Sequence, residues 1–282
     1  YHGSKNITVQ WCLISESLHD TPLRKGHGFA ASIGGVNTSY HHNLLANNAG
    51  RNPSIAGGNM KNPTINLDFR NNVIFNWSHR TLDGRYNSIN VVNNYYKAGP
   101  ASREGLSVVK MQSLHDGTFG KWYIQGNVFE DRSGKLARED LVTIDAMDVP
   151  VASALIDEPT QFAPVTTESA QEAYQDVLRE AGVTLPKRDS LDLRIVKEVR
   201  SGQTTFGNGI ISSQSDVGGW PVLHSAAPPE DKDRDGMPDA WERRHSPMGD
   251  LSLDGALDQD GDGFTNLEEY LNQTDPTQKE SQ

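Results

Sequence analysis

Five short segments in the first half of the chain share one form: polar or alternating residues, then an asparagine or its equivalent, then apolar residues. They are ITVQWCLI, TSYHHNLLANN, INLDFRNNVIFNW, SINVVNNYYKAG and KWYIQGNVFED. Aligned on Cys12, Asn43, Asn72, Asn94 and Asn127, they recur at steps of 31, 29, 22 and 33 residues. A unit of that length with strand-like alternation and no helical period cannot bury its apolar face alone, so it must stack on its neighbours. The expected fold is all-β, a right-handed parallel β-helix in which each segment is one coil. The aligned asparagines belong to the corners, because Asn tolerates left-handed backbone angles and its amide can hydrogen-bond along the stack. That role explains most of the polar crowd in HHNLLANNAGRNPSIAGG, His41 to Gly58, but not Arg51. Arg51 follows the strand, in a loop that NP and GG hold in extended and turn conformations.

The pattern divides the chain into coils over 1–150, an extension over 151–226 that contains short helices, and a C-terminal module over 227–282. In the extension, VPVASALIDEPTQFAPVTT is Pro-rich and is expected to wrap the coils without regular structure. TESAQEAYQDVLREAGVTLP is an amphipathic helix with Ala173, Val177 and Leu178 on one face; Thr167 or Ser169 caps it, Gly182 stops it and Pro186 follows. SLDLRIVKEVRSG is a second short helix, and GIISSQSDVGGWP tethers the tail. Both helices are expected to pack on the coils. The single cysteine, Cys12, excludes an internal disulfide, and its apolar neighbours predict a buried, inert thiol.

Charge is split between the two ends. The total is −11, yet residues 227–282 hold 15 Asp and Glu against 5 Lys and Arg, whereas residues 1–128 hold 12 Lys and Arg against 6 Asp and Glu. A basic N-terminal part suits an acidic polymer, and an acidic C-terminal part suits cations. No apolar run is long enough to span a bilayer, and neither a nucleic-acid partner nor a membrane span is expected.

The acidic end carries two loops of one pattern, DKDRDGMPDAWE and DQDGDGFTNLEE. Each has Asp at positions 1, 3 and 5, Gly at 6, Asp or Asn at 9 and Glu at 12, the arrangement that surrounds Ca²⁺ with hard oxygens. The candidate ligands are Asp231, Asp233, Asp235, the Met237 carbonyl, Asp239 and Glu242 in the first loop. In the second they are Asp258, Asp260, Asp262, the Phe264 carbonyl, Asn266 and Glu269. The segment resembles the thrombospondin type 3 or EF-hand-like calcium repeats that end many secreted bacterial enzymes. The resemblance implies a small structural calcium-binding module and a secreted, periplasmic or cell-surface location in a bacterium. Dockerins also use paired loops of this kind, which keeps a protein partner as an alternative.

The basic coils carry a second resemblance. NITVQWCLISESL, KGHGFAASIGG, TSYHHNLLANNAGRNP and INVVNNYY are similar to the later coils of pectate lyases of the first polysaccharide lyase family, and the helix with DVGGWP resembles the tail of bacterial members. The family cleaves polygalacturonate by β-elimination on a right-handed β-helix. The resemblance places Arg51 on the arginine that removes the C5 proton and Lys25 near the lysine that holds the substrate carboxylate. His27 and His42 are alternative bases if Arg51 only clamps the carboxylate, because imidazole titrates near neutrality. The family's second arginine falls on Ala56 here, so either Arg70, Arg80 or Arg85 supplies that cation or it is absent. The acidic ligands of the catalytic calcium fall upstream of the matched region, which implies that this chain is the C-terminal part of a longer enzyme.

The expected function is a polysaccharide lyase acting on pectate or a related polyuronate. A non-catalytic polyuronate-binding β-helix fits the same charge pattern. A glycosidase would need two paired carboxylates, and Glu16, Asp20, Asp68, Asp83 and Glu104 form no obvious pair.

Overall fold

The computed structural model describes residues 4–55, 66–105, 107–114, 117–118, 120–137, 144–146, 154–185 and 187–279. The chain divides into two compact units, Tyr1–Val222 and Leu223–Gln282. In the first unit the strands come in threes. The first coil contains β1 (Thr8–Gln10), β2 (Leu13–Ser15) and β3 (Ser32–Ile33), and the second β4 (Thr38–His41), β5 (Leu44–Ala46) and β6 (Ser54–Ile55). The third has β7 (Asn66–Arg70), β8 (Val73–Phe75) and β9 (Leu82–Gly84), and the fourth β10 (Ser88–Val92), β11 (Tyr95–Lys97) and β12 (Val109–Met111). The last has β13 (Lys121–Gln125), β14 (Val128–Glu130) and β16 (Ile144–Ala146), with β15 (Leu136–Ala137) antiparallel on β14.

Like strands stack on like strands. The first sheet runs β1-β4-β7-β10-β13, the second β2-β5-β8-β11-β14-β15 and the third β3-β6-β9-β12-β16, and every pairing between coils is parallel. The result is a β-solenoid of about four turns, consistent with a right-handed parallel β-helix. Pleating sends alternate side chains inward. In the second sheet Ile14, Leu45, Ile74, Tyr96 and Phe129 stand in one register row and belong to the inner core. The neighbouring row, Leu13, Leu44, Val73, Tyr95 and Val128, points the other way and is buried under helices.

Those helices are α1 (Ala170–Glu180) and α2 (Ser190–Ser201). Ser169 and Glu172 form a capping box at the start of α1, and Tyr174, Val177 and Leu178 face the coils. Pro186 lies outside the described residues. Arg194 of α2 binds Glu16 of the first coil through both guanidinium nitrogens, at 2.7 and 2.9 Å. In the second unit α3 (Asp239–His245) and α4 (Asn266–Asn272) each follow an acidic loop, and Trp241 meets Tyr270 edge to face at 5.5 Å.

Between the first and second strand of every coil there are always two residues. The first of them is left-handed in each case: Trp11, His42, Asn71, Asn93 and Gly126, with φ from 50 to 70°. The aligned asparagines occupy the second position and are not themselves left-handed, which corrects the expectation that their conformational tolerance is what places them. Their amides do the work. Asn43 N and Nδ2 both donate to Asn72 Oδ1 at 3.0 Å, Asn72 likewise to Asn94 at 3.0 Å, and Asn94 to Asn127 at 2.9 Å. Each Nδ2 also reaches a strand carbonyl, as Asn94 does to Phe69 O at 3.0 Å. The row ends at Cys12, whose N–H donates to Asn43 Oδ1. Cys12 is exposed and not buried as its neighbours predict, because it sits on the corner of the outermost described coil.

Asn94 is fully buried. Asn94→Ala strands the Asn72 N–H and the Phe69 carbonyl, at about 1–3 kcal/mol for each buried unpaired group. A loss of about 3 kcal/mol is expected from the urea-unfolding midpoint, and a loss below about 0.5 kcal/mol would show that the ladder does not stabilise the coils.

Candidate functional site

The outward faces of the three sheets are not equally free. A strap over residues 154–169 crosses the first sheet: Ile156 N donates to Trp122 O, Asn90 and Thr160 exchange two hydrogen bonds, and the Glu168 carbonyl accepts from Asn71 and Asn93. Helices α1 and α2 cover the second sheet. The third sheet aligns Ser32, Ser54, Asp83 and Lys110 on its outward row, and Ser54 Oγ bonds the Asp83 carboxylate.

The connections that lead into the third sheet gather cations around one ring. The Arg51 guanidinium lies 4.2 Å and that of Arg80 5.0 Å from the centre of the Phe29 ring. His27 meets the same ring at 4.4 Å and His79 at 6.2 Å, both edge-on. Backbone pairing sets this up, because Phe29 bridges Gly50 of the next coil, and Ala31 N donates to Arg51 O at 3.0 Å. Gly50 has no room for a side chain: a Cβ there would sit 2.6 Å from His79 Nε2. Arg51 is itself left-handed, with φ 52°, a conformation that costs a residue with a Cβ about 1–2 kcal/mol. Backbone strain of this kind concentrates at functional sites.

The two arginines differ electrostatically. Arg80 is paired with Asp83 at 3.2 Å, whereas Arg51 reaches only the Ser32 hydroxyl, at 3.1 Å, and has no carboxylate partner among the described residues. Its Nε is buried without a hydrogen-bond partner among the described residues. Burial, then Arg24 and Arg51, push the His27 pKa down, and burial, Arg80, His19 and Arg103 do the same to His79. Near neutrality the group therefore offers neutral imidazole acceptors beside an unpaired guanidinium, a setting that can hold a carboxylate and take up a proton.

The other expected site residues lie elsewhere. His42 is on the corner between the first and second sheets, stacked on Trp11 at 4.5 Å and 2.8 Å from His41 between Nδ1 atoms, with Glu168 at 3.9 Å. Burial and the neighbouring His41 push its pKa down to about 4. Arg70 is held by both oxygens of fully buried Asp68 and by Thr167 Oγ1 at 2.7 Å. Neither belongs to the group on Phe29. Lys25 is exposed on the turn before His27, and Arg85 is half-buried beyond β9; neither makes a hydrogen bond or ion pair to the described residues. Ala56 lies outside the described residues. Phe29, His79, Ser32 and Asp83 join the site with no motif to announce them.

In the second unit, one carboxylate oxygen each from Asp231, Asp233 and Asp235 lie within 4.8 Å of one another, and so do those of Asp258, Asp260 and Asp262. The loops repeat each other. Asp231 accepts from the N–H of Arg234 and Gly236, and Asp258 from those of Gly261 and Gly263. Gly236 and Gly263 take φ of 97 and 106°, which only glycine adopts without strain. Glu242 is fully buried with neither oxygen hydrogen-bonded among the described residues. Burial, with Asp233, Asp235, Asp239 and Asp231 nearby, raises its pKa to about 7. Such a carboxylate fits a hard divalent cation as its closing ligand. Asp239 differs from the expected ligand role, since its carboxylate is taken up by Lys232, at 2.9 and 3.0 Å, and Arg243, at 3.2 Å. Glu269 is buried like Glu242, and Asn266 Nδ2 holds the Asp254 carbonyl at 2.8 Å.

Comparison with known proteins gives a consistent direction. The chain is 29% identical over 287 residues to a probable pectate lyase C of Aspergillus fumigatus. It is 28% identical to proteins of the same description from Neosartorya fischeri, over 288 residues, and Aspergillus terreus, over 281. Each alignment covers 97% of this chain but 61% of the relative, so the chain spans about three-fifths of the proteins it matches. No family model matches. The relatives are fungal and lend no support to the bacterial source that the calcium repeats imply.

The lowered His42 pKa makes stability depend on pH with a definite sign. Its folded value of about 4 lies below the unfolded 6.5, so the unfolded state binds the extra proton and stability falls as pH drops from 6.5 towards 4. Urea midpoints measured across that window are expected to fall more steeply for the wild type than for His42→Gln.

Proposed function

We propose that this chain is the later part of a polysaccharide lyase that cleaves pectate or a related polyuronate by β-elimination. The observation that carries the reading is Arg51, a guanidinium without a carboxylate partner, set beside Arg80 over Phe29 on the connections into the third sheet. The named relatives support a pectate-lyase-like activity at that level. The proton on C5 of a uronate is weakly acidic because the adjacent carboxylate resists further negative charge. Cations that neutralise the carboxylate and the enolate-like charge lower that barrier. The base removes the C5 proton, the electron pair forms the C4–C5 double bond, the bond from C4 to the glycosidic oxygen breaks, and the departing oxygen takes a proton.

In the first assignment Arg51 is the base, as the resemblance implies, and Arg80 holds the carboxylate. In the second, Arg51 clamps the carboxylate and His27, whose pKa is lowered by burial, Arg24 and Arg51, is the base. The pH profile separates them. With His27 as base, whose pKa is lowered from 6.5, kcat/KM levels off above about pH 6.5; a profile that keeps rising beyond it excludes His27.

The structural calcium of the second unit would be held by Asp231, Asp233, Asp235, the Met237 carbonyl and Glu242, and by the matching set from Asp258 to Glu269. It would supply the positive charge that lets these carboxylates sit together. Millimolar calcium outside the cytoplasm suits such a module, which favours a secreted or cell-surface location.

Arg51→Ala is expected to lower kcat at least roughly 10²–10³-fold, followed by the ultraviolet absorbance of the unsaturated product. Retained turnover sinks the assignment, while binding without any turnover in the wild type favours a non-catalytic polyuronate-binding protein. Chelation is expected to lower the thermal midpoint of the second unit, and this effect shrinks once Glu242→Gln and Glu269→Gln have removed the closing ligands of both loops.

A further inference from the structure

The extension carries a cleft of its own. About 270 Å³ of space lies over the first turns of α2, with Leu191, Phe206, Val217 and Trp220 among its apolar walls and Ser190 and Arg194 among its polar ones. Its lining residues all fall between 190 and 221, and none of them belongs to a coil.

Trp220 stands out from the other tryptophans. It is 75% exposed, whereas Trp77 and Trp122 are buried within the coils and Trp11 and Trp241 are half-buried. An indole left in water forgoes the burial that usually makes this side chain stabilising. The backbone that presents it is nevertheless tightly built. A single 3-10 turn over Gln214–Val217 starts at a capping box of Ser213 and Asp216. Asp216 also accepts from Ser212 N at 2.8 Å, and Gly219 N donates to Gln214 O at 2.8 Å. Gly218 and Gly219, with φ of 90 and 85°, reverse the chain just before Trp220, a pair of angles that side chains disfavour. The segment is tied to the first coil, because His19 N donates to Ile211 O at 2.7 Å and Asp20 N to Ser212 Oγ at 3.2 Å. A fixed turn that holds an aromatic ring at the mouth of a cleft is the arrangement of a binding platform.

Charge decides what the platform takes. Arg194 is the one charged residue in the lining. Its guanidinium is already held by Glu16, at 2.7 and 2.9 Å, and by Glu198, at 3.1 Å, with its carbon 5.4 Å from the centre of the Phe206 ring. An anionic ligand would have to compete with two carboxylates for it. The walls instead suit a neutral group with an apolar face and polar edges, which describes a sugar ring. The C–H face of a pyranose can lie on the indole, while its hydroxyls meet the Ser190 hydroxyl and the backbone of Gly218 and Gly219.

We propose that this cleft binds a neutral pyranose, with Trp220 as the stacking platform, at a site separate from the cationic group around Phe29. It would hold the protein on an uncharged glycan without engaging a reacting sugar. The proposal does not depend on the lyase reading.

The test uses the full chain labelled with ¹⁵N. Its five tryptophans give five indole N–H resonances, and that of Trp220 is the one lost in Trp220→Ala. Cellotetraose, xylotetraose and β-1,4-galactotetraose are each titrated in. At least one is expected to move the Trp220 resonance saturably, and calorimetry with that oligomer is expected to show binding weakened about tenfold or more in Trp220→Ala. Trp220→Tyr, which keeps a ring, should recover most of it. Unmoved resonances from the other four indoles report that the variants fold. The site is overturned if none of the three oligomers moves the Trp220 resonance, if binding is unchanged in Trp220→Ala, or if tetragalacturonate moves that resonance as strongly as the neutral sugars. A Trp220 resonance that shifts on dilution assigns the face to a second copy of the chain and overturns it too. Trp220→Ala should turn over trigalacturonate as the wild type does, so loss of this site leaves the lyase reading standing; a fall in that turnover would contradict the separation of the two sites.

Discussion

Everything in the first unit depends on one buried interaction, the asparagine amide that takes two N–H groups from the coil before it and gives its own N–H to the next. An unpaired buried polar group costs more than a made hydrogen bond returns, so a coil that slips by one residue loses several such bonds at once. The ladder from Cys12 to Asn127 therefore sets the register of all three sheets, as well as closing one corner. Side chains on the other connections inherit that register, which is why arginines far apart in sequence end up side by side.

Charge is then allotted by what covers each face. On the first sheet Arg70 is answered by Asp68. Beneath the helices, Lys97 is answered by Glu130 at 3.0 Å and Arg194 by Glu16 and Glu198 at 2.7 and 3.1 Å. Buried charges need such partners, because an uncompensated one would unfold the region. On the connections into the third sheet the rule lapses, and Arg51, Arg103 and Arg132 stay without carboxylates among the described residues. A fold that pairs its cations wherever stability demands it has left these for something else.

The fold was legible because stacking imposes a repeat that the asparagines mark, and α1 was legible from its apolar face and the Ser169–Glu172 cap. The acidic loops were legible because glycine at the sixth position is forced by backbone angle. The site was only partly so. Arg51 stood out because no ladder explained it. Arg70 could have been set aside on sequence alone, since it follows Asp68 by two residues on one strand and so shares a face with an opposite charge. Arg80 could have been preferred, since it lies 29 residues after Arg51, the interval between Asn43 and Asn72. Phe29 and His79 carried no signal, because an aromatic ring under two guanidinium groups is a product of coil stacking and of no local motif. Cys12 misled for the same reason, its burial being decided by the neighbouring coil and not by its apolar flanks.

The constant two-residue bend at the ladder corner has an evolutionary consequence. The unequal repeat lengths arise elsewhere, in the connections that follow the second and the third strand of each coil, the former carrying Arg51, Arg80, Arg103 and Arg132. Insertions and deletions can accumulate there without disturbing a single amide of the ladder. The scaffold and the loops can thus drift at different rates, and new surface properties can arise by trading loops on an unchanged spine.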